Sequence, residues 1–70
     1  MQQVERLDDA EVAWVRDLVV RVGDYRAAKD LGLARQTVAR AAAGLRVYVG
    51  TISIVRAAIA RDRVPRTGTS

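Results

Sequence analysis

Residues Asp24–Gly44 read DYRAAKDLGLARQTVARAAAG, and this stretch decides how the chain folds. At about 100° of rotation per residue, Ala27, Ala28 and Leu31 fall on one side of a first short helix, with Tyr25, Arg26, Lys29 and Asp30 on the other. Asp24 is placed to cap that helix, and Gly32 supplies the left-handed backbone that a tight helix exit needs. A second helix, about Arg35 to Ala43, turns Val38 and Ala41 inward and Arg35, Gln36, Ala39, Arg40 and Ala43 outward. The outer face is polar around a bare alanine centre, so the backbone can approach another surface closely while longer side chains reach to either side.

Upstream, Asp8 or Asp9 is placed as an N-cap with Glu11 in the first turn, and Val12, Val15, Leu18, Val19 and Val22 form one apolar side ending at Gly23. Trp14 falls at the edge of that stripe, as a core or boundary residue. Downstream, Ile52 to Asp62 has helical periodicity and an alanine-rich continuation. A hairpin also fits there, with Val47–Val49 and Ile52–Ile54 flanking a Gly50-Thr51 turn as a wing. The helix is the preferred reading, because only the β-branched start argues for strands.

With 70 residues the chain makes one small domain, expected over residues 1–64, and residues 65–70 offer no apolar anchor and are expected to be a disordered tail. A domain of this size buries only about 60% of its unfolded surface. Half of the residues are apolar, but they are mostly Ala and Val with one Trp, two Tyr and no Phe, so the core is built from small side chains. There is no Cys and no His, which removes disulfides and thiolate metal sites. With no clustered carboxylates and no phosphate-binding glycine loop either, the expectation is a non-enzyme without metal, cofactor or evident small-molecule ligand. No apolar run approaches the roughly 20 residues a bilayer span needs, and MQQVERLDD lacks a signal-peptide pattern. A cytoplasmic, nucleoid-associated protein without membrane contact is expected.

The net charge is +4, and its distribution is asymmetric: residues 1–30 hold seven acids against five bases, whereas Leu31 to Arg61 contains no acid and five arginines. Eleven of the twelve basic residues are Arg, whose planar fork grips a phosphate or a guanine edge in two places where Lys acts as a point charge. Such a half suits a polyanion. In a DNA major groove, Arg pairs with guanine O6 and N7, Gln with adenine N6 and N7, and an Ala methyl meets the thymine methyl. Arg35, Gln36, Ala39 and Arg40 are accordingly the candidate base readers.

Asp24–Gly44 and the residues after it resemble the helix-turn-helix of the phage repressor and Cro-like, or lambda-repressor-like, transcriptional regulators. Ala28 matches the small residue where the two helices nearly touch, Gly32 the turn glycine, Val38 the apolar lock of the second helix and Gly44 its terminating glycine. GLRVYVGTISIVRAAI resembles the family's loop and next helix, with Thr51 as N-cap and Ile52, Val55, Ala58 and Ile59 as the buried stripe. Ala34 stands where the family usually has a Ser or Thr cap, and Asp24 where it often has a Gln that touches phosphate.

The resemblance implies an all-α bundle of four or five short helices and a small sequence-specific repressor of double-stranded DNA. Tyr25, Arg26, Thr37, Arg46, Tyr48 and Thr51 are then the phosphate candidates. It also implies a homodimer, since half-sites of such operators lie about one helical turn, roughly 34 Å, apart. Ile54, Ala57 and Ala60 form the candidate dimer face on the last helix. The alternative is a protein-interaction module, adaptor or antitoxin-like, on the same helical scaffold, for which outward Val20 and Ala13 of the first helix are the only sign.

Overall fold

The chain enters its first helix at Asp8, as the acid-rich start predicts. In the computed structural model, which describes residues 3–63, α1 spans Asp9–Val22, α2 Asp24–Leu31, α3 Arg35–Ala42 and α4 Val49–Arg63. Two short strands, β1 (Val4–Glu5) and β2 (Val47–Tyr48), complete the described residues. The protein is thus mostly helical. The expected tail at residues 65–70 lies outside the described residues. No helix among the described residues is long and apolar enough to cross a membrane.

At the start of α1, Asp8 Oδ1 accepts from the Glu11 amide at 2.7 Å and Glu11 Oε1 accepts from the Asp8 amide at 2.9 Å. This reciprocal capping box satisfies two amides that a helix start would otherwise leave unpaired. Glu11 is also tied to α4, accepting from Arg56 Nε at 2.6 Å. Its carboxyl is held below the usual Glu range, chiefly by that Arg56 bond and against the effect of burial. The first turn of α1 is thereby pinned to the last helix.

Gly23 ends α1 and begins α2. Its amide donates to the Val19 carbonyl at 2.8 Å and its carbonyl accepts from the Ala27 amide at 3.0 Å. Its φ of 86° and ψ of 161° are open essentially only to glycine. Asp24, expected to cap α2, is instead its first residue, because Gly23 occupies the cap position and leaves no room for a second. Val22 is a second correction. It is 40% exposed, as the last residue of α1 before the Gly23 cap.

The core takes one fully buried valine from each of three helices, Val15 of α1, Val38 of α3 and Val55 of α4. Around them lie Leu18, Ala27, Ala28, Leu31, Ala41, Ile52, Ala58 and Ile59, with Trp14 packed against the edge. Ala27 and Ala28 carry only a methyl, so α2 packs closely against α1 and α3. Leu7, between β1 and α1, and Val47 of β2 extend the same core towards the strands.

The strands pair antiparallel, Val4 opposite Tyr48 and Glu5 opposite Val47. Val47–Tyr48 is therefore extended, as the wing reading expected, but its partner is the start of the chain rather than Ile52–Ile54. Those residues are helical. α4 follows β2 without a gap, and its first amide, at Val49, donates to the Gln3 carbonyl at 3.1 Å. The residue just before β1 thus supplies an acceptor for the start of α4. Thr51 consequently lies inside the first turn of α4 instead of capping it, and is buried at 6% exposure.

Candidate nucleic-acid interface

α2 and α3 end in the same way. In α2 the Leu33 amide reaches the Ala28 carbonyl at 2.9 Å and the Gly32 amide the Lys29 carbonyl at 3.2 Å. In α3 the Leu45 amide reaches the Arg40 carbonyl at 3.0 Å and the Gly44 amide the Ala41 carbonyl at 3.1 Å. Both are Schellman closures around a left-handed glycine, with φ of 71° at Gly32 and 75° at Gly44. The Ala42 carbonyl is taken by the Arg16 guanidinium of α1, at 2.9 and 3.2 Å. The last turn of α3 is thereby satisfied and anchored to α1.

The start of α3 is built differently. Ala34 is extended at its N-cap and offers no side-chain bond, and the first helical residue is the cation Arg35. A cation there opposes the positive end of the helix dipole. Asp24, at the start of α2, offsets it. Arg35 Nη2 donates to Asp24 Oδ2 at 3.0 Å, and this bond holds the Asp24 carboxyl below the usual Asp range. The one residue that departs from a phosphate-touching Gln is thus bound to a candidate base reader.

On α3, Val38 and Ala41 face the core while Arg35, Gln36, Ala39, Arg40 and Ala43 are exposed. This is the division that periodicity predicts. Arg40 is less free than the sequence suggested, because its Nε and Nη2 donate to the Arg46 carbonyl at 3.2 and 2.9 Å. Its Nη1 amino group has no described partner. Arg40 therefore acts both as an outward cation and as a strut between α3 and the segment leading to β2.

That strut gathers several of the predicted phosphate candidates. Thr37, Arg40, Arg46 and Tyr48 line one groove of about 260 Å³ together with Val4 and Val47. Tyr25 and Arg26 are exposed on α2, where Arg26 pairs with Asp30 at 3.2 Å. Thr51 leaves the candidate set, since a buried side chain in α4 presents nothing to a phosphate. Ile54, Ala57 and Ala60 are exposed on α4.

Family models, curated proteins and solved structures give no match to this chain. Its own geometry adds two residues that sequence reasoning passed over, Arg16 and Val4, and a partner for Glu11 that it did not foresee. Arg16 anchors the end of α3, Val4 supplies one wall of the groove, and Glu11 neutralises Arg56. Only Glu11 carried a local signal, its position three residues after Asp8.

Proposed function

We propose that this protein binds double-stranded DNA as a lambda-repressor-like helix-turn-helix regulator, a small repressor acting as a homodimer in the cytoplasm. The observation that carries this reading is the outer face of α3. Arg35, Gln36 and Arg40 surround Ala39 on a helix whose opposite side, Val38 and Ala41, is locked in the core. A helix with an alanine centre and long polar flanks fits a major groove, where Arg and Gln read purine edges bidentately. Tyr25, Arg26, Thr37, Arg46 and Tyr48 flank it as phosphate contacts, and Ile54, Ala57 and Ala60 offer the surface for a second copy.

Selection from a random duplex library, read by sequencing, tests this. The expected result is an enriched half-site repeated with two-fold symmetry about one helical turn away. Absence of any duplex retardation at low salt would sink it. A second reading, a protein-interaction module, is favoured by Val20, which stands 79% exposed on α1. Loss of a partner protein on Val20→Asp, with no duplex binding by the unmutated chain, would support that reading instead.

A further inference from the structure

Continuing the β1–β2 register by one residue sets Arg6 opposite Arg46, since Glu5 already faces Val47. Arg6 directly follows β1 and Arg46 directly precedes β2. Alternate residues of an extended chain share a face, so continuation of the ribbon puts Arg6 and Arg46 on the side of Val4 and Tyr48, and Arg46 itself lines the groove. That side adjoins Thr37 and Arg40 of α3 across the groove. Arg6 and Arg46 are both exposed, and neither side chain has a hydrogen bond or ion pair with another described residue. No carboxylate lines the groove. Like charges directly opposite in a ribbon are destabilising unless something neutralises them. No described carboxylate forms an ion pair with either arginine, and Arg40 brings a further guanidinium to the groove beside Arg46.

We propose that Arg6, Arg40 and Arg46 together form a phosphate seat that holds one sugar-phosphate strand of a DNA duplex between α3 and the β1–β2 ribbon. The proposal rests on the DNA-binding reading and adds Arg6 and the ribbon to it. The Arg40 bond to the Arg46 carbonyl fixes the two sides of the seat before any ligand arrives. The hydroxyls of Thr37 and Tyr48, both on the lining, add donors for phosphate oxygens. Val4 and the Tyr48 ring supply an apolar wall for the sugar.

The test is binding of a mixed-sequence duplex by fluorescence anisotropy over a range of chloride concentrations, for the unmutated chain, Arg6→Gln and Arg6→Lys. Each phosphate neutralised contributes about 0.9 to the slope of log affinity against log salt. Arg6→Gln is expected to lower that slope by about one such step, and Arg6→Lys to restore it. An unchanged slope in Arg6→Gln, with the unmutated chain still binding, overturns the seat and leaves the DNA reading standing. No binding by the unmutated chain at low salt overturns both. Inorganic phosphate at matched ionic strength is expected to leave duplex affinity unchanged; specific competition by it would mark a free-ion site and overturn the strand assignment. The melting temperature of Arg6→Gln without DNA is expected to stay level or rise, because a like-charge pair is removed. A clear fall would show that Arg6 is already partnered in the folded chain, against the proposal.

Discussion

Arg35 and Asp24, the first residues of α3 and α2, are joined by a 3.0 Å hydrogen bond between guanidinium and carboxylate, with both side chains more than half exposed. In water such a pair adds little stability. Its consequence is electrostatic: a carboxylate sits beside the helix proposed to enter DNA and occupies one edge of a proposed base reader. Asp24→Asn is therefore expected to tighten binding to duplexes of any sequence several-fold, while the denaturation midpoint moves little. Anisotropy titrations and urea unfolding check the two halves, and weaker binding in Asp24→Asn would show that the carboxylate positions Arg35 rather than restraining it.

Arg35 and Arg40 are expected to separate when mutated. Arg35→Ala should cost about 1–3 kcal/mol on the preferred site and relax base preference there. Arg40→Ala should in addition weaken binding to all sequences, because Arg40 also holds the Arg46 carbonyl. Comparing each variant on the selected duplex and on a scrambled one reads the difference. Identical behaviour of the two would refute the strut.

Gly23 and Gly32 both have positive φ, and a Cβ built on either meets no atom within 4 Å. The cost of Ala is then conformational at both. Gly32 is left-handed, where a non-glycine residue pays roughly 1–2 kcal/mol. Gly23, with ψ of 161°, lies in a region essentially closed to other residues, so Gly23→Ala is expected to be the more destabilising in chemical denaturation.

Val38 is fully buried between the outer face of α3 and the rest of the core. Val38→Ala removes two methyl groups and leaves a cavity, at about 2 kcal/mol from transfer and packing together. In a domain this small that is a large share of the total. Thermal unfolding by circular dichroism should show a clearly lowered midpoint, and DNA affinity should fall with the folded fraction.

Glu11 gives the fold a defined acid sensitivity. Its carboxyl titrates below the ordinary value of 4.5 in the folded chain, so the stabilisation is present above that pH and is lost as pH falls through the lowered folded value. Melting temperatures measured between pH 7 and pH 3 should fall less steeply for Glu11→Gln than for the unmutated chain in the acid part of the range. Parallel curves would remove Glu11 from the account.

The four helices and the faces they bury were legible because Val15, Leu18, Ala27, Leu31, Val38, Val55 and Ile59 recur at helical spacing. Gly23, Gly32 and Gly44 marked the ends for the same local reason. The ribbon was not legible: two-residue strands contain no periodicity, and Val4 meets Tyr48 only across the whole intervening fold. The early start of α4 depends on that pairing, which explains why Thr51 was misplaced as a cap. In the candidate interface, Arg35, Gln36 and Arg40 could be placed on one face from spacing alone. Their partners Asp24 and the Arg46 carbonyl could not, because both bonds form through space between segments. The acid-free half is likewise less bare when folded, as Asp24 and Glu11 from the acidic half neutralise Arg35 and Arg56.

The bond from the Val49 amide to the Gln3 carbonyl makes the last helix depend on the first residues of the chain. The acceptor for its first amide lies 46 positions earlier in the chain, so completing the start of α4 closes most of the chain into one loop, the kind of non-local contact whose entropy cost slows folding.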